Sequence, residues 1–246
     1  MTILQPAGGY RAAIDPVLLA AAVPAQPGET VLDAGSGTGA AALALAARLE
    51  GVDVVGLDLE PGFIGLARNS AEESGLSQSI RFVEGDLLSP PPDLAAGSFD
   101  HVMANPPYLA AGSGNPPADA AKRAATVESR ARLDDWLRFL VAMACPGGTV
   151  TVIHRFDRKD EVIAGLGGDN AVLVVFPLWA KAQEARSGLS RDRDKNKQAA
   201  KRVIVQARKG QQGETRIAKG LVLHNDDGSY TPEAEAVLRN AGSLTL

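Results

Sequence analysis

The sequence contains a single cysteine, Cys145. A disulfide within the chain and a thiolate metal cluster are therefore excluded. Its neighbours Val141-Ala142-Met143-Ala144 suggest a core helix and a buried, inert thiol. Aromatic residues are also scarce, at 4% with two tryptophans and three tyrosines. An extended platform for stacking a single strand of bases is not expected. The three histidines, His101, His154 and His224, have no partners at metal-ligand spacing, so they read as structural and no metal is expected. The apolar run from Leu18 to Val23 is far too short to cross a bilayer. Met1 to Asp15 lacks a basic segment followed by a long apolar run, so it does not read as a signal peptide. A cytoplasmic protein with no membrane partner is the expectation. The formal net charge of −4 provides no global attraction for nucleic acid. Such a substrate would require a local basic patch.

What is present is ordinary globular composition, 45% apolar and 22% charged over 246 residues, enough for one large α/β domain. Strands and helices alternate from about residue 30 to residue 180. Thr30–Asp33, Asp53–Leu59, Ile80–Val83, Phe99–Ala104, Thr149–His154, Ala171–Phe176 and Arg202–Ala207 read as strands. Ala40–Leu49, the stretch from Pro61 to about Ser74, and Leu133–Ala144 read as helices. The rhythm predicts an α/β fold, a doubly wound, mostly parallel Rossmann-like sheet of about seven strands with helices on both faces. A single domain is expected over 1–246. It divides into an N-terminal arm and helix (1–29), a cofactor-binding core (30–180), a basic loop (181–202), and a C-terminal strand and tail (203–246).

Val31-Leu32-Asp33-Ala34-Gly35-Ser36-Gly37-Thr38-Gly39 reads as a strand, a glycine turn and a helix start. Gly35, Gly37 and Gly39 permit a tight turn and close approach of a ligand to the backbone. Asp58 ends the second strand, about 20 residues on, where an acid can hold two ribose hydroxyls. Gly35, Gly37 and Ala40 also satisfy the dinucleotide pattern G-x-G-x-x-G/A, so the turn alone leaves a nicotinamide oxidoreductase open. Asp33 suits an ammonium group and would repel a pyrophosphate. Asp86 can accept from an adenine amino group while the Leu87 amide reaches a ring nitrogen. Three acids at the carboxyl ends of consecutive strands stand where open α/β sheets bind ligands. The set resembles the S-adenosylmethionine-binding motifs of class I methyltransferases.

Asn105-Pro106-Pro107-Tyr108 follows the fourth strand, which in a doubly wound sheet lies beside the first. A conjugated amine is a poor nucleophile because its lone pair is delocalised. The Asn105 side-chain oxygen and the Pro106 carbonyl can each accept one amine hydrogen, favouring a pyramidal nitrogen and stabilising its developing charge. The prolines make this geometry rigid, and Tyr108 can stack on the planar group. The tetrapeptide resembles the (D/N/S)-P-P-(Y/F/W) motif of amino-methyltransferases, which implies adenine N6, cytosine N4 or glutamine N5 as acceptor.

The chain ends narrow the resemblance. Gln5-Pro6-Ala7-Gly8-Gly9-Tyr10-Arg11, Ile14-Asp15-Pro16-Val17-Leu18-Leu19, Leu221-Val222-Leu223-His224 and Gly228–Glu235 look like segments of the bacterial valine-tRNA adenine-N6-methyltransferase family. The resemblance implies S-adenosylmethionine as cofactor and an adenine next to the anticodon of tRNA as acceptor. Tyr10 and Arg11 would then line the pocket entrance. Residues 181–202 carry a net +5, with Arg191, Arg193, Lys195 and Lys197 at their centre, and are candidates for phosphate contact. Ser187–Lys197 departs from the family pattern. Lys122, Arg123, Arg130 and Arg132 form a second candidate patch. So few aromatics favour one flipped base. A protein glutamine N5-methyltransferase, or an adenine methyltransferase acting on another RNA or on DNA, remains the alternative.

Overall fold

The structure, a computed structural model, describes residues 1–8, 13–108, 131–168, 171–182 and 200–246. Its elements in chain order are α1 (Asp15–Ala22), β1 (Thr30–Ala34), α2 (Ala40–Arg48), β2 (Asp53–Asp58), α3 (Pro61–Glu73), β3 (Ile80–Glu84) and β4 (Phe99–Ala104). Then come α4 (Leu133–Met143), β5 (Ala144–Arg155), α5 (Lys159–Leu166), β6 (Ala171–Lys181), β7 (Arg202–Lys209), β8 (Arg216–Ile217), β9 (Leu221–His224) and α6 (Pro232–Leu238). A 3-10 turn, Phe156–Arg158, joins β5 to α5.

The strands form one sheet in the order β3-β2-β1-β4-β5-β7-β6-β8, with β9 also paired to β6. Pairing is parallel from β3 to β5, while β7 runs antiparallel to both β5 and β6. Strand β1 therefore sits between β2 and β4, where the winding changes direction. The expected doubly wound α/β sheet is present, with nine strands among the described residues instead of about seven. The two extra ones, β8 and β9, have two and four residues, too few for a periodic pattern to register in the sequence.

Alternation along the strands sends side chains to both faces, as Val31 and Leu32 illustrate. Val31 joins a core with Leu18 and Leu19 of α1, Leu43 and Leu45 of α2 and Ile64 of α3. Leu32 joins a second core with Trp136, Leu137 and Leu140 of α4 and Val162 of α5. Each fully buried leucine or valine contributes about 1.5–3 kcal/mol by leaving water. Helix α4 buries Leu133, Trp136, Leu137 and Leu140, the spacing of one helical face. Its first turn is closed by Asp135 Oδ2, which accepts from the Arg132 amide at 2.9 Å.

This helix stops at Met143, so Cys145 is not helical as expected. It is the second residue of β5 and half-buried, with Sγ 3.9 Å from Asp100 Oδ1. The cause is pairing: Ala144 already lies opposite Phe99, and a register shift between Phe99 and His101 accommodates the entry. Among the described residues no helix is long and apolar enough to cross a membrane.

Candidate active site

At the amino ends of the strands polar side chains act as pegs. His101 bonds Thr149 Oγ1 at 2.7 Å and Glu29 Oε2 at 2.8 Å. Asp100 Oδ2 accepts from the Thr30 amide and hydroxyl, both at 2.9 Å, and these bonds hold its carboxyl below the usual carboxylate range. The pegs align β1, β4 and β5 so that the opposite, carboxyl edge is level. There Ala34 pairs with both Leu57 and Ala104, and Asp58 pairs with Glu84. Gly35, Asp58 and Asn105 consequently reach the same edge from three adjacent strands, with Asp86 just beyond the fourth.

The glycine turn is necessary at two positions. Gly35 has φ +66°, and a Cβ there would lie 2.3 Å from the Trp136 ring. Gly37 has φ +55° and would point a Cβ into open space. Its amide donates to Asp58 Oδ2 at 2.7 Å, tying the turn to the end of β2. Gly39, also at positive φ, opens α2.

Each acid has a structural duty as well. Asp33, only 2% exposed, accepts from the Ala42 amide through Oδ2 at 3.1 Å. Burial pushes its carboxyl up to about 7, with the nearby Asp58 charge adding to the shift. Asp58 Oδ1 accepts from the Glu60 amide at 2.9 Å, and burial raises this carboxyl too. Asp86 Oδ1 accepts from the Leu88 amide at 2.9 Å. A carboxylate offers about four lone-pair sites, so each acid keeps capacity for a ligand. Asp33 and Asp58 are neighbouring carboxyls whose mutual repulsion a bound cation would relieve. Leu87 is half-buried beside Asp86.

The tetrapeptide leaves β4 directly. Pro106 is buried, and Asn105, Pro107 and Tyr108 are half-buried. Asn105 Oδ1 is buried with no hydrogen-bond partner among the described residues. Such an oxygen costs roughly 1–3 kcal/mol, and an incoming N–H donor would recover it. Tyr108 is more constrained than a free stacking surface: one face of its ring is covered by the Arg202 guanidinium, 4.4 Å from the ring centroid. A stacked acceptor therefore has one face of that ring at most.

The structure adds three residues to the neighbourhood that the sequence does not flag for this role. His154, expected to be merely structural, meets Tyr108 edge-on at 5.3 Å, and its Nε2 lies 3.4 Å from the Pro107 carbonyl oxygen. Burial and then the Arg158 charge push its pKa down to about 4, so it is neutral at pH 7. Asp15 accepts from the Tyr108 hydroxyl at 2.7 Å. Arg202 completes the group. Asp15 falls in a segment the sequence singles out and Arg202 ends the basic stretch, but no local motif links either of them or His154 to the tetrapeptide, since their proximity comes from strand order and the packing of α1. Tyr10, Arg11, the loop Ala110–Ala125, Lys122, Arg123, Arg130, Arg191, Arg193, Lys195 and Lys197 lie outside the described residues. Arg132 is described, as the residue capping α4. Among the described residues no cluster of His, Cys, Asp or Glu could hold a metal ion.

Residues 31–127 match the model of a methyltransferase domain. That match spans Asp33, the glycine turn, Asp58, Asp86 and the tetrapeptide, but not Asp15, His154 or Arg202. Over 81 residues the chain is 42% identical to a release factor glutamine methyltransferase of Chlorobaculum tepidum, covering 32% of this chain and 28% of that protein. Over 149 residues it is 31% identical to a tRNA1(Val) adenine-N6-methyltransferase of Shewanella loihica, covering 59% of this chain and 60% of that protein. The chain thus spans between about a quarter and three fifths of the curated relatives it matches here. Among solved structures, a predicted O-methyltransferase of Agrobacterium tumefaciens superposes with a TM-score of 0.72 at 24% identity, covering 94% of this chain and 98% of that one. At that identity the chain shares a fold with it and no more.

Proposed function

We propose that this protein transfers a methyl group from S-adenosylmethionine to a planar nitrogen held by Asn105–Tyr108, with adenine N6 of a tRNA, next to the anticodon, as the acceptor. The observation that carries the reading is the buried, unpartnered Asn105 Oδ1 at the carboxyl end of β4, one strand from the glycine turn.

The site fits the cofactor by its donors and acceptors. Asp33 would take the methionine ammonium, which would favour its ionised form. Gly35, Gly37 and Gly39 shape the turn along which the ligand would lie, Asp58 would accept from the ribose hydroxyls, and Asp86 with the Leu87 amide would read the adenine edge. Bound there, S-adenosylmethionine supplies an electrophilic methyl group on a sulfonium. Asn105 Oδ1 and the Pro106 carbonyl would accept the two amine hydrogens, leaving the nitrogen lone pair free to take the methyl group that the sulfonium would release. The methylated nitrogen is briefly cationic and strongly acidic, so it loses its proton to water without a dedicated base. The fixed acceptors stabilise that charge without reorganising.

The tRNA acceptor is supported by a shared stretch of 149 residues with the Shewanella loihica enzyme. A specific observation favours a second acceptor of the same chemistry: three of the relatives with high identity are release factor glutamine methyltransferases. A glutamine amide is also planar and offers two N–H groups to the same acceptors. The deciding experiment supplies labelled S-adenosylmethionine with total tRNA, ribosomal RNA, duplex DNA and a release factor in parallel. Label recovered as N6-methyladenosine in tRNA is the expected result. Label confined to the release factor would replace the acceptor, and label in none of the four would overturn the methyl-transfer reading for these substrates.

A further inference from the structure

Three segments distant in sequence converge on the side chain of Tyr108. Asp15 opens α1, His154 lies near the end of β5, and Arg202 opens β7. The Tyr108 hydroxyl donates to Asp15 Oδ2 at 2.7 Å, and Arg202 Nε donates to that same oxygen at 3.1 Å. The guanidinium also lies over the tyrosine ring, so one cation contacts both the ring and the acceptor of its hydroxyl. The ion pair is largely sheltered, with the Asp15 side chain 15% and the Arg202 side chain 33% exposed. Hydrogen bonds to an ionised acceptor are shorter and roughly twice as strong as neutral ones.

The anchor is itself held in place. Arg48 of α2 donates to the Ala20 and Val23 carbonyls at 2.9 and 3.0 Å, closing the carboxyl end of α1 and fixing where Asp15 falls. Arg202 is held on the other side by the β5–β7 ladder, in which it pairs with Arg155. A tyrosine that only filled space would need neither a sheltered carboxylate at its hydroxyl nor a guanidinium on its face.

Building on the methyl-transfer reading above, we propose that Asp15 and Arg202 are positioning residues of the site, which fix the Tyr108 ring and through it the last turn of the acceptor-binding tetrapeptide. Neither residue contacts the reacting atoms. Their effect on transfer passes through Tyr108, and both lie outside the matched domain segment, in parts of the chain that the domain motifs do not cover.

The test is a double-mutant cycle in the full chain, with labelled S-adenosylmethionine and total tRNA as probes. Asp15→Asn keeps the shape and an acceptor oxygen but removes the charge, and Tyr108→Phe removes only the hydroxyl. Asp15→Asn is expected to lower kcat about tenfold, the scale of one charged hydrogen bond, with cofactor affinity unchanged. In the Tyr108→Phe background the same substitution is expected to have a much smaller effect, only what passes through Arg202 and the ring. Two additive effects would overturn the proposal, because they would mean that Asp15 acts independently of Tyr108. A second measurement needs no turnover. With ring-labelled tyrosine the chain gives three tyrosine signal sets in NMR spectra, and Tyr108→Phe assigns one. Asp15→Asn and Arg202→Lys, which cannot keep the planar contact, are expected to move the Tyr108 signals and leave those of Tyr230 in place. Unmoved Tyr108 signals would overturn the proposal even if transfer to tRNA is never seen. A wild-type chain that labels no tRNA but shows the NMR coupling would instead count against the acceptor reading alone.

Discussion

Asn105 holds a buried amide oxygen with no partner among the described residues, at a point where the backbone is fixed by two prolines. Removing such a group takes little from the folded state, because that oxygen makes no bond there to lose. Asn105→Ala should therefore leave cofactor affinity, measured by calorimetry, nearly intact. It should lower single-turnover methyl transfer by about a hundredfold or more, the scale seen when one preorganised oxyanion-hole-type group is removed. Normal turnover by this variant would sink the mechanism. Asp33 carries the opposite balance, since its cost lies in the ligand-free fold. Its folded pKa of about 7 stands above the ordinary 3.8, so between those values the folded chain binds more protons than the unfolded one. Stability contributed by the protonated form is present below that window and falls as pH rises through it. Asp33→Asn is thus expected to raise the melting temperature of the ligand-free protein at pH 8, to have a smaller effect at pH 5, and to weaken S-adenosylmethionine binding. A variant that is no more stable at pH 8 than the parent would contradict the buried-charge account.

At the scale of elements, the glycine turn and α4 form one packed unit. An alanine at position 35 meets the Trp136 ring as well as a backbone at positive φ, whereas one at position 37 meets only the φ cost. Overpacking adds roughly 1–3 kcal/mol, so Gly35→Ala should lower the denaturant midpoint more than Gly37→Ala. For cofactor affinity the order should reverse, because the space beyond Gly37 is where the ligand is proposed to lie. The same order in both measurements would remove the turn from the binding site. The turn is legible in sequence because glycine spacing is a local signal, and so are β1 to β4, whose short, mostly apolar runs lie between turn residues. The ends of β6 and β7 reach beyond the stretches expected from sequence, since Pro177 and the charged pair Arg208-Lys209 end those apolar runs while the ladder continues through them. The Asp15–Tyr108–Arg202 cluster is not legible as a unit. Its members are 93 and 187 positions from Asp15, and no local periodicity reports pairing at that range.

For the whole molecule, the question is what attracts a polyanion to a chain of net charge −4. Around the tetrapeptide the described basic side chains are largely neutralised at close range. Arg155 pairs with Asp157, Arg158 with Glu161, Arg138 with Asp134 and Asp135, and Arg202 with Asp15. Exposed pairs of this kind add little stability, but they do cancel the field a phosphate would feel. If tRNA is the substrate, the candidate sources of its attraction are the +5 stretch at 181–202 and the second patch of Lys122, Arg123, Arg130 and Arg132. Replacing Arg191, Arg193, Lys195 and Lys197 together by glutamine removes four charges. The slope of log Kd against log salt for tRNA binding should then flatten by about 3, at roughly 0.7–0.9 for each phosphate no longer neutralised. Fluorescence anisotropy from low to physiological salt reads this directly, with S-adenosylmethionine affinity as a control that involves no phosphate backbone. An unchanged slope would remove these four residues from substrate binding. With the surrounding arginines already paired, it would leave the second patch alone to attract a polyanion, and so weaken the case for a nucleic-acid acceptor and shift it toward the glutamine amide, which needs no such attraction.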